Sequence, residues 1–314
     1  MIRQMLFSSS ALNQRWRMMD LAAMVRRFSN AVVLLEAVRT AVSYMHKYLS
    51  HRAVLSFTGT DRASFLQGLV TNDVQALTDS TAVWSALLTP QGRWLSEFFL
   101  YDAPDRILMD CPANHADMLV KRLSRFRLRA DVQIEKTGLH IVTGTENSPM
   151  PESAVTNAPD PRCDDAGWRA IVTESGTSGE TPAEFLERRL TLGLPDVMDF
   201  ESEQTLALEA DMDLLHGVSW KKGCYMGQEL TARTHYRGLV KRRLLPVVLS
   251  DGVFPDEGGV IVSGEREVGD IRSRSGNRAL AMLRRDAWSA PELTCNGQPL
   301  SVVWPVWFPE EMRS

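Results

Sequence analysis

This 314-residue chain is poor in the residues that announce a metal or redox centre. It has four cysteines, Cys111, Cys163, Cys224 and Cys295, far apart in the sequence. That spacing excludes a Cys-x-x-Cys dithiol and a zinc site built from paired ligands. Four scattered thiols suit a reducing compartment better than a disulfide framework. The chain also lacks a Gly-x-Gly-x-x-Gly loop, so a dinucleotide crevice is not expected. No apolar run is long enough to span a bilayer, and the one at residues 31–35 is cut short by Glu36. There is no internal repeat. A net charge of −4 argues against a generic binder of polyanions. What remains is an ordinary globular composition, with length enough for two or three packed domains.

The richest stretch is residues 221–229, Lys-Lys-Gly-Cys-Tyr-Met-Gly-Gln-Glu, which runs on through Arg233, His235 and Arg237. Cys224 stands between Gly223 and Gly227 and follows Lys221 and Lys222. Glycine lets a backbone approach a ligand closely, and nearby cations favour the thiolate. Cys224 is therefore the first candidate for nucleophilic or metal-ligand chemistry; a buried structural cysteine beside a turn is the alternative. Gln228 and Glu229 offer an amide and a carboxylate to a heterocycle, and Tyr225 a ring to stack on it. They also suit an ordinary helix start. Arg233 and Arg237, four apart, share a face on a helix and suit a carboxylate-bearing ligand or a solvated edge. His235 reads as a base or extra ligand, or as a plain exposed histidine.

Residues 217–229 resemble the signature of YgfZ-type proteins. These are relatives of the glycine-cleavage T-protein (aminomethyltransferase) and include a mitochondrial factor in iron–sulfur cluster maturation. Residues 65–74, Phe-Leu-Gln-Gly-Leu-Val-Thr-Asn-Asp-Val, resemble the family's first motif, and residues 88–93, Leu-Thr-Pro-Gln-Gly-Arg, its second. Gly193-Leu194-Pro195 and Glu209-Ala210-Asp211 match a third region less closely. The motifs stand in the family's order across residues 50–310.

The resemblance implies an α+β fold, T-protein-like, closed by a small C-terminal β-barrel. It implies a folate-linked accessory factor that assembles or repairs iron–sulfur clusters, and through them sustains tRNA-modifying enzymes. Cys224 would carry the thiol chemistry, as catalytic residue or as one ligand of a cluster shared with a partner, an A-type iron–sulfur carrier protein. Tetrahydrofolate or a derivative would lie against Glu209, Asp211, Tyr225, Gln228 and Glu229, with Arg233, Arg237, Lys221 and Lys222 meeting an anionic tail or partner. A tetrahydrofolate-dependent aminomethyl transferase is the rival reading, and an RNA-binding protein a third, with direct nucleic-acid binding disfavoured by the acidic balance.

Three departures count against one-carbon transfer and tight folate binding. Ser96 stands where the T-protein has an acid, leaving only Glu97 nearby. Arg52 and Phe185 align with tryptophans of some bacterial members. Asp211 replaces the usual Asn, and a carboxylate accepts where an amide both donates and accepts.

Residues 1–44 carry six arginines against Asp20 and Glu36. They read as an extension: a tail, a mitochondrial transit-like segment, or a start placed too early, with Met45 the initiator. The expected location is cytoplasmic, or the mitochondrial matrix if that segment is a transit peptide. Residues 45–240 are expected to form the folate-binding α+β region, with a loop at 144–166, and residues 241–314 the barrel.

Period-2 patterns predict strands at 53–58, 82–88, 94–101, 107–111, 132–135, 139–143 and 168–173. Helices are expected after an Asp61 cap, at 114–126 with Met118, Leu119, Leu123 and Phe126 on one face, and at 182–192 before Gly193. Short strands at 244–249, 260–262, 267–273, 279–283 and 300–304 predict the barrel. Charge is segregated as well. Nine acids crowd residues 184–213, and seven cations crowd 220–243. Either the two stretches fold against each other or the basic one faces an anionic ligand.

Overall fold

A five-stranded antiparallel sheet in the order β2-β3-β4-β1-β5 forms the backbone of the first half. The computed structural model describes residues 48–174 and 179–313, so the expectations for 1–44 lie outside the described residues. The strands are β1 (Arg52–Thr58), β2 (Ala82–Leu88), β3 (Trp94–Ala103), β4 (Arg106–Pro112) and β5 (Gln133–Lys136). β2 and β3 make the expected hairpin. β2 is buried along its whole length, which explains its near-continuous apolar sequence.

One face of this sheet is covered by α1 (Arg62–Gln67) and α2 (Ala116–Arg127), which close a core around Phe57, Leu66, Leu100, Leu119 and Leu123. Asp61 precedes α1 but does not cap it. Its carboxylate instead accepts the Asp131 N–H at 2.8 Å, tying the helix start to the approach to β5. On α2 the buried stripe is Ala116, Leu119 and Leu123, while Phe126 stays 41% exposed. The expected face was thus one residue too broad.

A second, three-stranded sheet in the order β6-β8-β7 faces the other side. It contains β6 (His140–Gly144), β7 (Ala154–Pro159) and β8 (Trp168–Val172). β7 lies inside the segment expected to be a loop. Its exposed, Asn- and Pro-bearing sequence gives no strand signal, and it is a strand because β8 supplies its hydrogen bonds. α3 (Pro182–Leu192) follows. It has a reciprocal Thr181–Glu184 capping box and Pro182 in its first turn, and it ends at Gly193 with φ +73°.

After α4 (Gln228–Tyr236) the chain closes into a six-stranded barrel, β10-β11-β12-β9-β14-β13. Its strands are β9 (Arg242–Leu249), β10 (Val260–Ser263), β11 (Arg266–Ser275), β12 (Arg278–Arg284), β13 (Leu293–Cys295) and β14 (Gln298–Val302). The three-residue β13 was too short to read, and the last strand ends before the expected residue 304. Among the described residues no helix is long and apolar enough to cross a membrane.

Candidate functional site

Three motifs far apart in the sequence meet around the Cys224 loop. Lys222 reaches back to the first, its Nζ donating to the carbonyls of Val70 (2.8 Å) and Asn72 (2.7 Å). The Ser219 N–H donates to Thr71, the Met226 N–H to Gly68, and the Thr71 hydroxyl to the Gly217 carbonyl. The second motif makes a tight turn closed by the Gly92 N–H on the Thr89 carbonyl. A side chain on Gly227 (φ +81°) would stand 2.4 Å from that Thr89 oxygen, and one on Gly92 (φ +76°) would stand 2.8 Å from the Gly227 oxygen. Both glycines are required by close approach as much as by backbone angle.

The loop so held displays Cys224. It is the one exposed cysteine of the four; Cys111 and Cys295 are buried and Cys163 half-buried. Burial pushes the Cys111 thiol up to about 12, so that thiol stays protonated and inert. Lys222 does not face a ligand tail as expected. It is half-buried over the Tyr225 ring, 5.4 Å from its centroid, and burial lowers its pKa to about 8. It anchors the loop. Tyr225 is buried as well, and burial raises its hydroxyl to about 12. Gln228 Oε1 accepts the Tyr225 N–H at 3.2 Å, so Gln228 closes the loop onto α4.

The face of α4 beyond this loop is basic and aromatic. Glu229, Arg233, Arg237, His235 and Tyr236 are exposed, as are Lys221 and Lys241. The His235 ring stacks on Trp220 at 3.9 Å and 19°, and Tyr236 is 73% exposed beside it. The other expected ligand residues lie elsewhere. Glu209 accepts from Arg242 Nε at 2.8 Å and from the Leu206 N–H at 3.0 Å. Asp211 accepts from Arg243 at 2.8 Å, and Arg243 also grips Asp213 with both terminal nitrogens. The acidic and basic stretches therefore fold against each other in part, which takes Arg242 and Arg243 out of any open basic surface.

Asp211 sits under Arg243 with φ +57° and one carboxylate oxygen unpartnered. Burial pushes its carboxyl up to about 8, despite the pull of Arg243. The folded chain thus holds a proton there that the unfolded chain releases near about 4. The stabilisation is full below that value and is lost progressively as the pH rises to about 8. Asp211→Asn keeps the acceptor, tolerates the left-handed backbone and cannot ionise. It is expected to gain on the wild type by more than ~1 kcal/mol between about pH 5 and about pH 9 in urea unfolding. Parallel stability curves would refute the assignment.

Between the two sheets lies a network of ion pairs that sequence reasoning missed. Arg52 bonds Asp110 Oδ1 through Nε at 2.7 Å, and Glu97 and Asp196 through Nη1. Arg169 bonds the second Asp110 oxygen, and Arg162 clasps Asp160. Every one of these seven side chains is at most 6% exposed. Four carboxylates against three guanidiniums leave an excess of negative charge. Burial, with Asp196 adding to it, raises the Glu97 carboxyl against the pull of Arg52. Burial also opposes ionisation of Asp196, yet His51, Arg52 and Arg189 hold it well below the usual carboxylate range. His51 meets Asp196 at 3.0 Å from the floor of a surface cavity of about 410 Å³, lined also by Trp94, Asn114, His115, Met198 and Phe200. None of the expected folate residues lines that cavity. One signal was present in the sequence: Arg52, Glu97, Asp110 and Arg169 interrupt strands that are otherwise apolar, and a charge there is tolerated only when paired.

Two packed sheets with a closing six-stranded barrel define a T-protein-like class. Aminomethyltransferase T of the glycine cleavage system from Bartonella henselae matches with a TM-score of 0.66 over 84% of this chain and 88% of its own, at 14% identity. Residues 241–310 match the CAF17 C-terminal beta-barrel domain. The iron–sulfur cluster assembly factor IBA57, mitochondrial, of Mus musculus is 30% identical over 303 residues, covering 83% of this chain and 84% of the mouse protein. The Homo sapiens protein of that name is 31% identical, covering 77% and 78%. The Mycosarcoma maydis homolog is 32% identical over 67% of this chain, which spans 59% of that relative's length. The chain belongs to the IBA57 family of iron–sulfur cluster assembly factors. The YgfZ-type resemblance thus resolves to this branch.

Proposed function

We propose that this chain takes part in iron–sulfur cluster assembly by lending Cys224 as one ligand of a cluster held jointly with a cysteine-bearing A-type carrier. The cluster is cargo, not a resident group. The observation that carries the reading is Cys224 itself, the single exposed thiol, on a loop held against the first and second motifs. One thiolate cannot hold a cluster alone, so the remaining ligands come from the partner. The exposed face of Arg233, Arg237, His235 and Tyr236 beside Trp220 fits an acidic partner surface, with aromatic anchors inside a charged rim. Effects on cluster-dependent tRNA-modifying enzymes would follow downstream. The relatives' printed names favour the mitochondrial alternative over the cytoplasmic expectation, and the arginine-rich residues 1–44 agree with it.

One-carbon transfer finds no support in the geometry. Ser96 is buried where an acid is needed, and Glu97 has both oxygens engaged, by Arg52 and by the Trp84 N–H. RNA binding is weakened by the loss of Arg242 to Glu209 and of Arg243 to Asp213. The test is anaerobic mixing with a cluster-loaded A-type carrier, followed by absorbance and size-exclusion chromatography. The wild type should form a coloured complex. The double variant Arg233→Glu, Arg237→Glu should bind the carrier at least roughly tenfold more weakly, and the complex should weaken with salt. Unchanged affinity would remove α4 from the interface.

A further inference from the structure

The fold family implies a folate in the centre of the molecule, and the side chains present there do not fit one. A pterin presents a guanidine-like edge whose two N–H donors are best met by one carboxylate that presents both oxygens to it and is not already clasped by a protein cation. Among the described residues, the four carboxylates of the central network have both oxygens engaged already. The oxygens of Glu97 go to Arg52 and the Trp84 indole, and those of Asp110 to Arg52 and Arg169. Those of Asp160 go to Arg162. Those of Asp196 go to His51, Arg52 and the Val197 N–H.

A pterin also needs an aromatic face. The ring of Phe99 is already covered by the Arg169 guanidinium, 3.9 Å from its centroid, with Arg162 at 5.0 Å. Arg52 stands where some relatives carry a tryptophan. It cannot swing aside without leaving three carboxylates short of their partner, because it serves Glu97, Asp110 and Asp196 at once. Of the residues expected to hold folate, Glu209 and Asp211 are engaged at the start of the barrel, and Glu229, Arg233 and Arg237 point to solvent from α4.

We infer that this chain works without a pterin in its centre: the buried ion-pair network fills that space and joins the two sheets, as a bound ligand otherwise would. It spans them directly, since Arg169 of β8 grips Asp110 of β4. The inference is independent of the cluster reading, and the cluster assay is run without folate.

Tetrahydrofolate and its 5-formyl form are titrated anaerobically into the full chain by calorimetry, for the wild type and for Met198→Arg. The variant fills the outer cavity with a long side chain at a 58% exposed position. The expected result is no saturable heat with either ligand up to about 1 mM. Stoichiometric binding that is equal in wild type and Met198→Arg would place folate inside and overturn the inference. Binding that Met198→Arg abolishes would place the ligand in the outer cavity and leave the centre closed, as inferred.

Discussion

Cys224→Ser is expected to abolish the iron–sulfur absorbance that the wild type develops on anaerobic mixing with a cluster-loaded A-type carrier. Serine is close to cysteine in size but replaces the thiol with a hydroxyl, a poor ligand for cluster iron. The other three cysteines do not rescue the signal: two are buried, and Cys163 is half-buried with its thiol pushed up by burial. The loop should remain in place, because its anchors are Lys222, Ser219 and Met226 rather than the thiol. Unfolding stability should therefore shift by less than ~0.5 kcal/mol, as for other surface substitutions. Equal absorbance in the variant would sink the ligand role of Cys224. Loss of absorbance with equal carrier binding would separate ligation from docking.

The second large effect concerns stability. Asp110→Asn should destabilise the fold by ~3–5 kcal/mol, the range for breaking a buried ion pair by removing one partner. Asp110 is fully buried and bonds Arg52 through one oxygen and Arg169 through the other; with a neutral amide Arg52 keeps Glu97 and Asp196, but Arg169 is left away from water with only the Asp160 carboxylate at 3.6 Å. The contrast is Asp117, whose partner Lys136 is 52% exposed and which is itself 86% exposed. Asp117→Asn should barely move the urea midpoint, because solvent screens that pair. Comparable shifts for the two substitutions would show that the network is not the source of cohesion between the sheets.

Much of the fold was legible because its elements follow one local rule each. α3 could be placed from Pro182 and Gly193 alone, and the β2–β3 hairpin from two apolar runs around Gly92. β7 was not legible, since its strand character comes from the partner β8 and not from its own residues. At the site, Cys224 stood out by composition and by motif. The role of Lys222 did not, because a lysine beside a cysteine reads as a charge facing a ligand. Only the fold shows its ammonium spent on two carbonyls about 150 residues upstream. The network was hidden for the same reason. Arg52 and Asp196 are 144 positions apart, and neither betrays the other in sequence.

The distance between Lys222 and Val70 along the chain, 152 residues, also bears on the order of events at the ribosome. At a synthesis rate of about 5–20 residues per second, residue 222 emerges roughly 8–30 s after residue 70. The first motif must wait that long, with its carbonyls in water, before the ammonium that fastens the cysteine loop exists. The thiol is therefore set in its fixed loop only in a chain that has been made past α4 and has folded back on its own beginning. A truncated or half-folded product carries the same cysteine without the platform that fixes it.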